Sequence, residues 1–282
     1  MRLRSLLFVP GDRPERMAKA MHSAADAVIL DLEDSVAPTR KPAAREAVAA
    51  FLANGARAKP VFVRINTLSD GMAEADLAAL GSCAPDALVL PKAEGRASIE
   101  WLDELLSNTQ LDRLPLLPIA TETPTAVFAL GSYRDIASRL LALTWGAEDL
   151  SAAIGATATR EAGGFTAPYQ IVRTLALFGA HAAGVPAIET VYTDIKDCDG
   201  LASAAARAAR DGFAGMLAIH PSQLDVINAA FDPSEAELAR ARAIVAAFAE
   251  HPEAGALALE GQMIDAPHAK LAHRLIERAG QR

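Results

Sequence analysis

Eight short apolar runs punctuate the chain, at residues 5–10 (SLLFVP), 27–31 (AVILD), 60–66 (PVFVRIN), 87–91 (ALVLP), 115–121 (PLLPIAT), 140–145 (LLALTW), 185–190 (VPAIET) and 215–220 (GMLAIH). Most are unalternating, the pattern of parallel strands buried on both faces. Ala-rich stretches with apolar residues at helical spacing lie between them, among them 41–53, 99–106 and 167–183. Eight β-then-α units predict an α/β fold, a closed (β/α)8 TIM barrel over residues 1–230. A doubly wound open sheet is the competitor. The count of eight and the lack of a glycine-rich phosphate loop after the first run favour the barrel.

Past the eighth run, Asp232-Pro-Ser-Glu opens a helix with a capping residue followed by acids in its first turn. Residues 260–282 (EGQMIDAPHAKLAHRLIERAGQR) read as a turn and a final helix that no barrel needs. Residues 231–282 are therefore expected to form a C-terminal helical extension that either packs passively or reaches a neighbour. No internal repeat, low-complexity tract or Gly/Ser linker divides the chain.

Composition narrows the partners. A chain of 282 residues, 51% apolar, can bury a substantial core. Its longest early apolar stretch, residues 6–10, is far below the ~20 residues of a spanning helix, and no signal-peptide pattern precedes it; a cytoplasmic protein is expected. The net charge of −8 argues against a nucleic-acid surface, so an anionic substrate must meet a local basic patch. Cys83 and Cys198 lack a CxxC spacing or a neighbouring His and read as ordinary reduced thiols.

Barrel enzymes carry their chemistry at the C-terminal ends of the strands. Here those ends read Pro10-Gly11-Asp12-Arg13, Asp31-Leu32-Glu33-Asp34, Arg64-Ile65-Asn66, Pro91-Lys92, Thr121-Glu122-Thr123, Glu148-Asp149, Glu189-Thr190 and His220-Pro221-Ser222. Acids dominate the second, fifth and sixth ends, whereas Arg or Lys occupies the first, third and fourth. One side suits a metal and the other an anion.

Adjacent parallel strands lie roughly 4.8 Å apart, so Glu122 and Asp149, ending neighbouring strands, can grip one hard cation. Mg²⁺ takes oxygen ligands, keeps several waters and is usually held by one or two carboxylates plus substrate oxygens; Mn²⁺ is the alternative ion. Glu33 and Asp34 are placed to hydrogen-bond the waters of such an ion. The same acids could instead cap helices or pair with rim arginines. Arg64, in an otherwise apolar run, offers a planar fork to a carboxylate or enolate oxygen, or forms an ion pair with Glu33 or Asp34. Lys92 and the cluster Arg13, Arg16 and Lys19 are candidates to meet substrate phosphates at the rim, solvated surface charge being the alternative for the last three. His220 is either a proton shuttle or a hydrogen-bonding brace for the last turn.

The ordered segments LLFVPGDRPERMAKA, VILDLEDSV, VRIN, LPKAE, ATETPTA, TWGAEDLSAAIGA and AIHPSQ resemble the signature blocks of the citrate lyase β-subunit-like branch of the HpcH/HpaI aldolase superfamily. That branch includes malyl-CoA, β-methylmalyl-CoA and citramalyl-CoA lyases. The resemblance covers essentially the whole chain. It implies a TIM barrel, usually a homotrimer or hexamer, that uses Mg²⁺ to cleave or form a carbon–carbon bond in a CoA-linked hydroxy acid, with coenzyme A as part of the substrate. By the same resemblance Glu122 and Asp149 hold the metal and Arg64 contacts substrate. The tail segment Gly261-Gln262-Met263-Ile264-Asp265 resembles the G-x-MID lid that stand-alone CoA lyases place over an adjacent subunit's site, with Asp265 as acid/base; Asp265 as a plain helix cap is the alternative. The implied activity is a reversible Claisen-type cleavage of a 3-hydroxyacyl-CoA, such as malyl-, methylmalyl- or citramalyl-CoA, to acetyl- or propionyl-CoA plus a 2-oxo acid. Two alternatives stay open. One is a citrate lyase β subunit working on an acyl-carrier-protein thioester; the other is an aldolase acting on free 2-oxo acids without CoA.

Overall fold

The computed structural model describes residues 1–280 other than 56, 82 and 162. The chain forms two compact units, one of Met1 and Leu3–Ala229 and one of Arg2 with the chain from Ala230 onward.

The first unit holds eight parallel strands: β1 (Ser5–Pro10), β2 (Ala27–Asp31), β3 (Val61–Arg64), β4 (Ala87–Leu90), β5 (Leu116–Pro118), β6 (Leu143–Thr144), β9 (Ala187–Glu189) and β10 (Gly215–Ala218). Between β6 and β9 sits a small antiparallel hairpin, β7 (Arg160–Glu161) and β8 (Gly164–Phe165). The sheet order is β5-β4-β3-β2-β1-β10-β9-β6, so each strand lies beside its neighbour in the chain. Leu141 N donates to Leu116 O at 2.8 Å and Ala120 N to Thr144 O at 2.9 Å, bonds that join the two ends and close the barrel. The helices are α1 (Pro14–Ala20), α2 (Lys41–Ala53), α3 (Ala73–Leu80), α4 (Arg96–Leu106), α5 (Pro124–Ala129), α6 (Glu148–Ile154), α7 (Ala167–Ala182), α8 (Cys198–Asp211) and α9 (Leu224–Phe231), the last ending within the second unit.

All eight predicted strands are present, each starting and ending within a few residues of its apolar run. β1 and β2 span their whole runs, and the other six are shorter than predicted, since residues such as Asn66, Thr121 and His220 leave the ladder at the strand ends. Ile29, Phe62, Val89, Leu117, Ile188 and Leu217, from six strands, pack into one buried cluster. Each such side chain stabilises the fold by roughly 1.5–3 kcal/mol through burial, which fixes the strand ends that carry the polar groups.

In the second unit, α10 (Glu235–Glu250) is capped by Ser234, which accepts from Glu237 N while Glu237 reaches back to Ser234 N at 2.8 Å. The expected turn before the final helix is in fact a hairpin, β11 (Ala256–Leu259) and β12 (Gln262–Asp265), followed by α11 (Ala266–Gly280). Its turn is Glu260-Gly261 with φ of 51° and 77°, a left-handed pair that glycine eases. Ala241, Ile244, Ile264 and Ala272 form a separate small core. Among the described residues no helix is long and apolar enough to cross a membrane. Cys83 and Cys198 are free thiols.

Candidate active site

The polar residues that follow the strands converge on the mouth of the barrel. A cavity of about 400 Å³ there is lined by Phe8, Asp31, Asp34, Arg64, Glu122, Trp145, Asp149 and Thr190, among others. With Pro10 and Glu148 also in its lining, six of the eight strand ends face this one space.

Arg64 ends β3 beside Asp31, its register partner at the end of β2. The guanidinium donates Nε to Asp31 Oδ1 at 2.6 Å and Nη2 to Oδ2 at 2.7 Å, a two-pronged pair. Nη1 also stands 2.9 Å from Glu33 Oε2 and 3.9 Å from Asp34. Burial works against the Arg64 charge, but Asp31 and Glu33 hold it above the ordinary arginine range. Burial likewise opposes the Asp31 carboxylate, and Arg64 outweighs it, keeping Asp31 below its usual value. The sequence marks Asp31 only as part of a strand end, and the hydrophobic run gives no sign that it, rather than Asp34, takes the arginine. Asp34 is the more exposed acid of this loop. The loop is braced from below by Lys41, whose ammonium, buried at 7% exposure, donates to Leu32 O, Glu33 O and Asn66 Oδ1. Asn66 in turn donates to Leu32 O and to the buried Asp76.

Glu122 follows β5 and Asp149 opens α6 after β6. Glu122 is buried at 5% exposure and accepts the Lys92 backbone N–H at 2.6 Å. Gly146 makes this possible, since a Cβ there would stand 2.8 Å from Glu122 Cγ. Burial pushes the Glu122 carboxyl up to about 8, and the negative charges of Asp149 and Glu33 add to that push. Two carboxylates that repel each other across a buried mouth, with room between the strands, suit a hard divalent cation. Among the described residues no three His, Cys, Asp or Glu side chains cluster as a complete metal cage, so water and substrate oxygens would complete the shell.

Lys92 pairs with the acids of the mouth. Its Nζ sits 2.6 Å from Glu33 Oε1, 3.2 Å from Asp149 Oδ1 and 3.9 Å from Asp34 Oδ2. Burial lowers its charge preference, but the Glu33 contact outweighs burial and raises it. Its φ of 50° is unusual for a non-glycine residue, and this turn lets its N–H reach Glu122 while its ammonium reaches Asp149. One residue thus grips both candidate metal acids.

Arg13, Arg16 and Lys19 lie exposed on and before α1, Arg13 loosely paired with Asp12 at 3.5 Å. His220 accepts Ser222 N at Nδ1 and caps the turn 221–223, the brace expected as one of its two roles. Trp145 and Glu189, both unassigned from sequence, form a buried support: Trp145 Nε1 donates to Glu189 Oε1 at 2.5 Å, and Glu189 also accepts from Thr190 N and Arg173. In the second unit Asp265 ends β12, half-buried, with Oδ1 2.6 Å from His268 Nδ1.

Comparison with known proteins converges on one group. The HpcH/HpaI aldolase/citrate lyase family model matches residues 4–221. A citrate lyase subunit beta-like protein of Mycobacterium tuberculosis is 39% identical over 98% of this chain and 95% of its own length. The mitochondrial citramalyl-CoA lyase of Rattus norvegicus is 33% identical over 97% of this chain and 85% of its own. The crystal structure of CitE from Mycobacterium tuberculosis, in complex with magnesium, acetoacetate and coenzyme A, superposes with a TM-score of 0.84 at 38% identity, covering 99% of this chain and 98% of that one. The chain belongs to the HpcH/HpaI aldolase/citrate lyase family.

Proposed function

We propose that this protein is a Mg²⁺-dependent carbon–carbon lyase of CoA thioesters, cleaving a 3-hydroxyacyl-CoA such as malyl-, methylmalyl- or citramalyl-CoA to acetyl- or propionyl-CoA and a 2-oxo acid. The observation that carries this reading is the buried Glu122 and the half-buried Asp149 lining one cavity with the Arg64 fork. The magnesium and coenzyme A bound in the CitE structure support it.

In this reading Glu122 and Asp149 would hold the ion, Glu33 and Asp34 would be available to hydrogen-bond its waters, and Lys92, now 3.2 Å from Asp149, would give up that contact. Mg²⁺, when bound, supplies a Lewis-acid charge that polarises the oxo-acid oxygen. Arg64, fixed by Asp31 on Nε and Nη2, turns its remaining Nη protons to the thioester enolate oxygen. Asp265, brought by the C-terminal unit of a neighbouring subunit acting as a lid, takes the α-proton of the acyl group in the condensing direction; cleavage retraces the path. A thioester is acidic enough at that carbon that no Schiff-base lysine is needed, so Lys92 stays an ion-pairing group. Arg13, Arg16 and Lys19 are the surface cations available for the CoA phosphates. The homo-oligomer that such a lid requires is supported by the exposed apolar face of α7, where Ile171, Leu175 and Phe178 lie with Phe128 of α5.

The test is direct: purified protein with Mg²⁺ and a panel of 3-hydroxyacyl-CoA thioesters, reading out released acyl-CoA and 2-oxo acid. Cleavage of at least one thioester, abolished by chelator, is the expected result. Cleavage only of a carrier-protein thioester, or of free hydroxy-oxo acids without CoA, would replace this reading with one of its alternatives.

A further inference from the structure

A second cavity, of about 280 Å³, is lined by α7, α8 and the β7–β8 hairpin and has no part in the chemistry above. Three of its lining residues are arginines, and their charges are not equally balanced. Arg173 is satisfied: it pairs with Glu189 at 2.5 Å and Asp211 at 2.7 Å, the two carboxylates of the cavity. Arg160 is not. Its guanidinium lies over the Phe165 ring at 3.8 Å and the Tyr192 ring at 4.9 Å, and among the described residues no carboxylate stands within ion-pair distance of it. Among the described residues Arg207 makes one hydrogen bond, a long one to Gly163 O at 3.4 Å.

Two like charges next to one cavity repel each other. Burial lowers the Arg160 guanidinium, and Arg207 pushes the same way against the distant pull of Glu189 and Glu148. Contact with two ring faces holds the Arg160 guanidinium in place, and no hydrogen bond among the described residues takes up its N–H groups. A planar N–H edge of this kind matches the paired oxygens of a phosphate or carboxylate. Gln170 and Thr174 add polar groups to the lining, but their nearest hydrogen bonds go to Phe165 O and Gln170 O and offer no charge.

We propose that this cavity is a second anion site, in which Arg160, held against Phe165 and Tyr192, and Arg207 together bind a compact oxyanion, a phosphate or a carboxylate. The site stands apart from the lyase reading and survives its failure. Its floor is Glu189, which also holds Trp145 of the barrel mouth, so an anion drawing Arg173 away from Glu189 would be felt there.

Calorimetric titration of the full-length, chelator-treated protein at low ionic strength, first with inorganic phosphate and then with malonate, tests the proposal and separates the two anion sources. Saturable binding of at least one anion, weakened about tenfold or more in both Arg160→Gln and Arg207→Gln, is the expected result. Binding of phosphate alone or malonate alone identifies the ligand chemistry. Arg207 is exposed, so if Arg160→Gln does not fold, Arg207→Gln decides by itself. Absence of saturable binding of either anion, or affinity in a folded variant within about twofold of the wild type, would overturn the site.

Discussion

Replacing Glu122 by Gln separates the metal account from a purely structural one. The side chain is buried and carries a carboxyl pushed from an ordinary 4.5 up to about 8. Because the folded value is the higher one, the unfolded chain ionises first, and stability falls as pH rises from about 4.5 to about 8, then levels. The shift corresponds to roughly 5 kcal/mol above pH 8 and about 3 kcal/mol at pH 7. Gln keeps the volume and the acceptor for Lys92 N–H but never ionises. In chelator, thermal unfolding followed by calorimetry between about pH 5 and pH 9 should therefore show Glu122→Gln melting several degrees above the wild type at the alkaline end and converging with it at the acid end. Mg²⁺ should raise the melting temperature of the wild type alone, and its binding near neutral pH should release a proton. A Gln variant less stable than the wild type in chelator at alkaline pH, or equal stabilisation of both proteins by Mg²⁺, would show that Glu122 is not a strained acid that the metal ionises.

Arg64→Ala leaves the buried Asp31 without its counter-charge and should cost about 3–5 kcal/mol of stability by denaturant unfolding; Arg64→Lys should restore part of that and little of the turnover, because it lacks the fork. Gly146→Ala puts a methyl 2.8 Å from Glu122 Cγ and should lower turnover about tenfold or more while costing only about 1–3 kcal/mol in unfolding experiments. Asp265→Asn should keep substrate affinity and lose turnover, and mixing it with Arg64→Ala protein under conditions of subunit exchange should recover part of the activity; no recovery despite exchange would count against a lid that crosses subunits.

The barrel was legible because strands buried on both faces must be apolar throughout, and eight such runs leave little choice of fold. The position of the acids was legible for the same reason, since a lone carboxylate after an apolar run has to leave the sheet at the mouth. What could not be read was pairing. Asp31, Glu33 and Asp34 are three acids within four residues, and only the register of β2 against β3 sets Asp31 opposite Arg64. The contacts of Lys92 with Glu33 and Asp149 could not be read either, because the left-handed backbone turn that aims it there leaves no mark on the sequence. The β7–β8 hairpin has strands of two residues each, too short for any periodicity, and the tail hairpin hid behind a motif read as a turn. Trp145 and Glu189 meet across 44 positions, a separation that no local pattern reports.

Crystals soaked in Mn²⁺ and measured for anomalous scattering would show whether Glu122 and Asp149 share one ion. One strong peak within coordination distance, about 2.0–2.3 Å, of both the Glu122 and the Asp149 carboxylates, with the Lys92 ammonium displaced from Asp149, is the result this account requires. A map with no peak between those two side chains, or with the ion elsewhere and Lys92 still on Asp149, contradicts it.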